Sequence, residues 1–176
     1  MNGKVKKLVV NAMLTAMYVV LSLTATINLG NMKITFDSLP IILGAALFGP
    51  LAGFTIGFLG SFLNQMLTFG LTATTILWVL PAAIRGLLVG LYAKHKKFDM
   101  NFKQTVFITA ATALVTTAIN TLVMYIDAKI YGYYSFAYVF GAVIPRIISG
   151  IIVAVVVSSI LPYVLQPVRK ILRIKK

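Results

Sequence analysis

The sequence predicts an all-α membrane protein of six transmembrane helices, with cytoplasmic N- and C-termini and structured loops on the outer face. Three observations predict it. Hydrophobic residues make up 60% of the 176 residues and the mean hydropathy is +0.96. A soluble interior of this size cannot hide that much apolar surface, whereas lipid accepts it on the outside. Apolar runs recur six times between short polar connections. The basic residues gather on alternate connections, the pattern that sets membrane orientation. The whole chain, 1–176, reads as a single six-helix membrane domain.

The first apolar run covers about 8–29, long enough to cross a hydrocarbon core of about 30 Å. Its leader, MNGKVKKLVV, has the basic start of a signal peptide, but the run continues without an A-x-A cleavage site. It reads as a retained first helix. Gly30-Asn31 breaks it, and the alternating, β-branched MKITFDSLP that follows reads as a structured loop or strand-like cap. PIILGAALF is too short to span unless it begins near Phe36, so it is expected to be tilted or partly re-entrant. The tight, uncharged FGPLAG turn leads to a third run over about 51–67. The fourth covers about 71–92 and is interrupted by Pro81. AKHKKFDMNFK is the clearest polar connection, before a fifth run over about 105–126. DAKIYGYYS is a tyrosine-rich loop, the sixth run covers about 136–165, and QPVRKILRIKK forms a basic tail.

Six runs put both ends on one side. Lys4, Lys6, Lys7, Lys94, Lys96, Lys97, Lys103, Arg169, Lys170, Arg173, Lys175 and Lys176 share that side, against Lys33 and Lys129 on the other. The termini are therefore expected in the cytoplasm. The net charge of +13 would suggest nucleic acid in a soluble protein; beside apolar segments it points to topology and anionic headgroups instead.

Two arginines interrupt the apolar runs, Arg85 in LWVLPAAIRGLLVGLY and Arg146 in YVFGAVIPRIISGIIVAVVV. A guanidinium at membrane depth costs about 2.5–3.5 kcal/mol on insertion scales and faces a bundle interior or watery cavity, paired with something negative. The chain has no Glu and three Asp (Asp37, Asp99, Asp127), so internal counter-ions are scarce. A site for an anionic small molecule follows, against the alternative that each arginine bonds helix-end carbonyls or reaches a headgroup.

Several function classes lose their residues. Without Cys, and with His95 alone in a basic stretch, there is neither a disulfide framework nor a metal cluster, and no cofactor is expected. No P-loop pattern is present, so the chain does not hydrolyse ATP itself. An enzyme needs an acid–base pair or a metal, and a channel needs a ring of like charges or a filter motif. A stand-alone channel or enzyme therefore stands only as the alternative from another class. Small residues four apart, at Ala12/Ala16, Gly53/Gly57 and Gly86/Gly90, make flat strips for close helix approach. The glycine strips suit packing within the bundle.

The six runs, the Ala12-Met-Leu-Thr-Ala16 motif and ITFDSLPIILGAALFGPLAGFTIGFLGSFLNQML together resemble the substrate-binding S components of energy-coupling factor (ECF) transporters, bacterial vitamin importers. The resemblance covers nearly the whole chain, and F-x-x-L-P-x-x-L-G-x-x-x-F-G-P-x-x-G over 36–53 is its most specific part. It implies a subunit of the bacterial cell membrane that binds a vitamin near the outer side, capped here by 33–38, 68–75 and 127–135. It also implies that Ala12 and Ala16 dock on a transmembrane coupling subunit driven by two cytoplasmic ATPases. LTATTILWVLPAAIRGLLVGLYAK with INTLVMYIDAKIYGYYS resembles the pantothenate type, and PRIISG the folate type; another vitamin or precursor stays open.

Pantothenate, with one carboxylate, two hydroxyls and an amide, suits one buried arginine plus amide side chains. Arg85 is expected to hold the carboxylate through its planar fork. Asn120 either reads a hydroxyl or amide or bonds a neighbouring helix. Of Asn64 and Gln65, one is expected to line the cavity and the other to cap or face a neighbour. Trp78 forms an apolar wall or packs elsewhere. Arg146, Tyr125 and Asp127 complete the candidates, with a surface pairing to Lys129 or Lys33 as the alternative for Asp127. Tyr131, Tyr133 and Tyr134 form an interfacial belt or line the cavity.

Overall fold

The computed structural model describes residues 3–29 and 32–172. Helix α1 (Gly3–Thr24) is followed by an antiparallel hairpin, β1 (Thr26–Leu29) and β2 (Met32–Thr35), in which Thr26 pairs with Thr35 and Ile27 with Ile34. Then come α2 (Ser38–Phe48), α3 (Pro50–Phe69), α4 (Thr75–His95), α5 (Phe102–Ile130), the short α6 (Phe136–Phe140) and α7 (Val143–Leu172). Among the described residues, four helical stretches are long and apolar enough to cross a membrane: Lys4–Thr24, Thr75–His95, Phe102–Ile130 and Phe136–Leu172. Helix α3 has the length, but Gly53, Gly57, Gly60, Asn64 and Gln65 dilute its hydropathy.

The first apolar run does not stay helical to residue 29. It ends at Thr24, and the β-branched, alternating Thr26–Leu29 takes the strand, since such residues fit a pleated surface better than a helix interior. The break at Gly30-Asn31 and the tail at Arg173, Lys175 and Lys176 lie outside the described residues. Pro81 sits inside a continuous α4, and the sixth run divides at 141–142 into α6 and α7.

Helix α2 is apolar all round and buried from Pro40 to Leu47, the signature of a central helix. Its inner surroundings include Leu14 and Tyr18 of α1, Ile56 of α3, Val89 of α4 and Val153, Val157 and Leu161 of α7. Gly49, with φ +88, reverses the chain, its N–H donating to Ala45 O at 2.9 Å. Pro50 then starts α3 where a missing N–H costs nothing. Between α3 and α4 the backbones touch: a Cβ on Gly53 would strike the Gly86 carbonyl, and one on Gly86 the Gly53 carbonyl. Those glycines hold the bundle together, as their spacing predicts.

The two ends differ. At one end Arg169 Nη2 donates to Ala46 O (3.2 Å) and Phe98 O (2.6 Å), and Lys7 lies 5.8 Å from the Phe48 ring centre. The start of α1, the end of α2, the α4–α5 connection and the end of α7 therefore meet there. The hairpin, the start of α4 and the α5–α6 connection lie at the other.

Candidate functional site

A cavity of about 340 Å³ opens among the helices toward the hairpin end. Its wall follows helical periodicity, since residues three and four apart share a face. Helix α4 presents Trp78, Pro81, Ala82 and Arg85; α5 presents Thr109, Ala113, Thr116, Thr117 and Asn120; α7 presents Arg146, Ser149, Gly150, Val153 and Ala154. Tyr18 of α1 and Ser61, Asn64 and Gln65 of α3 line the remaining sides, with Thr35 of β2, Asp37, and Ser38 and Ile41 of α2 lining the side next to the hairpin.

Arg85 is fixed from α5: its Nε donates to Thr116 Oγ1 at 3.2 Å. Thr116 in turn donates to Thr112 O, so its hydroxyl accepts from the arginine. Asp37 lines the same cavity, accepts from Thr35 Oγ1 at 3.1 Å, and its charge acts on Arg85. Arg146 is held differently. Its Nη2 donates to the Met124 thioether, a weak acceptor, and its Nη1 is buried with no hydrogen-bond partner. Ser38 Oγ and Thr109 Oγ1 are likewise buried and unpartnered. All three of these residues line the cavity. Buried polar groups are nearly always satisfied, so three such groups around one cavity suit it to water or a polar ligand that completes their bonds.

Six of the residues singled out from the sequence come together here: Arg85, Arg146, Asn120, Asn64, Gln65 and Trp78. Asn64 and Gln65 both reach the cavity rather than dividing roles, and Asn64 Oδ1 also accepts from Ser22 Oγ at 3.0 Å and Thr68 Oγ1 at 3.5 Å. Tyr125 and Asp127 are not brought to it. Asp127 is buried and accepts from Thr74 Oγ1, Tyr133 Oη and Trp78 Nε1 (3.3 Å). That replaces a surface pair with Lys129, whose ammonium lies 4.4 Å from the Tyr134 ring centre and 5.8 Å from that of Tyr125. A pairing with Lys33 lies outside the described side chains.

Asp127 holds the Tyr133 phenol above its ordinary pKa, chiefly by accepting its proton in a hydrogen bond. Tyr133 and Tyr134 pack edge-on against Tyr138 and Tyr125, each at 5.4 Å. None of Tyr131, Tyr133 or Tyr134 lines the cavity. Of the three outer segments expected to cap the ligand, only 33–38 contributes lining, through Thr35, Asp37 and Ser38. In 68–75 the threonines bond one another, Asn64 and Asp127 instead, Thr72 N–H donating to Thr75 Oγ1 at 2.8 Å.

Reasoning from the sequence expected the segment 33–38 at the site without singling out Asp37, and it missed Thr109, Thr116 and Thr117 of α5 as lining residues. Thr105, Thr109, Thr112 and Thr116, all buried, recur three and four apart in an apolar run, and that stripe was the available signal.

The model of the family described as "ECF-type riboflavin transporter, S component" matches residues 2–166. Among curated proteins, a UPF0397 protein of Lactobacillus gasseri is 34% identical over 99 residues, 54% of this chain and 51% of that protein. One from Streptococcus thermophilus is 26% identical over 125 residues, 70% of this chain and 67% of that protein. The chain spans about half the length of the first of these curated relatives. Two solved structures share the fold: the S component of a bacterial ECF transporter (TM-score 0.64, 19% identity, 96% of this chain and 98% of that one) and an S component for biotin (TM-score 0.63, 18% identity, 94% and 95%). Since the match at 2–166 runs along nearly all of the sequence, the chain belongs to the family of ECF-type riboflavin transporter S components.

Proposed function

We propose that this chain is a membrane-embedded substrate-binding subunit rather than an enzyme, capturing an anionic water-soluble vitamin, best matched by pantothenate, for an ATP-driven ECF importer. The observation that carries the reading is Arg146 Nη1, a buried guanidinium nitrogen without a partner, in a cavity whose wall holds two arginines and one aspartate. That balance favours a net negative guest, and Asn64, Gln65 and Asn120 supply amides for hydroxyl and amide groups. Trp78 and Tyr18 are the aromatic wall residues, less stacking surface than a pterin would use. Riboflavin is the second reading, favoured by the family description; it is uncharged and would leave Arg146 uncompensated.

In this reading the hairpin end faces outward and both termini lie in the cytoplasm of a bacterial cell. The exposed strip around Ala12 and Ala16, flanked by Leu8, Met13 and Met17, takes the transmembrane coupling subunit, to which two ATPases attach.

The test is calorimetric titration of the detergent-purified chain with pantothenate, folate, biotin and riboflavin. Submicromolar binding of pantothenate with weak or no binding of riboflavin is expected. Tight riboflavin binding with no response to any of the acids would overturn the anionic reading.

A further inference from the structure

The two arginines of the cavity are not equivalent. Arg85 meets α5 at Thr116, and Arg146 meets it at Met124. Those contacts lie about two helical turns, or ~12 Å, apart along the helix. Helix α5 ends at the hairpin end of the molecule, so Arg146 sits toward the mouth and Arg85 toward the floor. Their electrostatic settings differ as well. Arg85 shares its cavity wall with Asp37, whose charge acts on it, and it donates to a hydroxyl with proper geometry. Among the described residues no carboxylate pairs with Arg146. Its contact is a thioether, and one of its nitrogens has no partner at all. A charged donor that lacks a charged acceptor in a low-dielectric site gains most from a carboxylate. Arg85 already has a hydroxyl partner and a carboxylate on the same cavity wall, so a further negative charge adds less there, while a hydroxyl or carbonyl can still bond it.

Resting on the reading that the cavity takes an anionic vitamin, we infer that Arg146 is the charge-selecting residue, binding the ligand's terminal carboxylate at the mouth, while Arg85, held by Thr116 deeper in the cavity, reads hydroxyl and amide groups. The ligand is therefore an elongated molecule with its acid at the outer end and its neutral polar groups inward. This reverses the role that the sequence assigned to Arg85. Asp37 then serves as the acceptor for a ligand hydroxyl, which an arginine cannot be.

The experiment compares pantothenate with panthenol, in which a primary alcohol replaces the carboxylate, by titration into wild-type protein and the variants Arg146→Gln, Arg146→Lys and Arg85→Gln. Wild type is expected to favour the acid at least about tenfold. Arg146→Gln should erase that preference by weakening the acid about 10- to 100-fold and panthenol by no more than about threefold, and the retained panthenol binding shows that the variant is folded. Arg146→Lys should keep most of the preference. Arg85→Gln should weaken both ligands alike and keep the ratio. If Arg85→Gln erases the preference and Arg146→Gln retains it, the inference is overturned although the anionic reading stands. If wild type prefers panthenol, or binds riboflavin and neither of these two, the anionic reading itself fails, and this assignment with it.

Discussion

Asp127 shows how one side chain can organise a site that it does not enter. Its carboxylate gathers a hydroxyl from the start of α4, a phenol from the α5–α6 connection and the indole N–H of Trp78. Trp78 is the single tryptophan of the chain and lines the cavity, so its emission reports on both. Asp127→Ala strands three donors, and leaving a buried donor without its acceptor costs about 1–3 kcal/mol. The expected outcome is a lower melting temperature in detergent and a shifted Trp78 emission maximum; an unchanged spectrum would show that the indole is held by packing alone. Truncating Arg85 to alanine is a different experiment, since it removes a charged donor from the cavity itself. Arg85→Ala should weaken vitamin binding by about 1.5–3 kcal/mol, the scale of a hydrogen bond to a charged group, and unchanged affinity in calorimetry would take Arg85 out of the site.

Among the elements, the small-residue strips divide into two kinds. Gly53 and Gly86 have backbone against them, whereas Ala12 and Ala16 are exposed. Gly86→Val should therefore destabilise the isolated chain by about 1–3 kcal/mol, as forced overpacking does. Ala12→Leu with Ala16→Leu should leave its melting temperature and ligand affinity unchanged while the coupling subunit no longer co-purifies. Co-purification that survives both leucines would move the docking face elsewhere. The elements were largely legible because length, hydropathy and Gly-Pro punctuation fix where helices start and stop: Gly49-Pro50 is the case in point. The end of α1 was not, because hydropathy scores Thr-Ile-Asn-Leu the same whether it is strand or helix. Of the site, the charged and amide residues inside apolar runs could be read directly. The threonines of α5 and Asp37 could not be ranked without knowing which helix faces meet, and Asp127 looked like a ligand group until Thr74 and Tyr133 came into view.

For the molecule as a whole, the arrangement separates a polar, cavity-bearing half from a basic half. The absence of cysteine makes that polarity straightforward to map. Single cysteines at Lys96 and at Gly132, in intact cells, should react with a membrane-impermeant maleimide only at Gly132; the reverse pattern would invert the proposed orientation. Binding should also stabilise the entire bundle, because a ligand held only by the folded state raises stability by RT ln(1 + [L]/Kd), about 2.7 kcal/mol at a hundredfold excess over Kd.

The backbone contact between Gly53 and Gly86 has one more effect. With no side chains between them to reshuffle, α3 and α4 form a stiff slab, one fixed jamb of the doorway. On the facing side Arg146 of α7 meets Met124 of α5 through long, rotatable side chains, which can change rotamer around a guest where the glycine contact cannot.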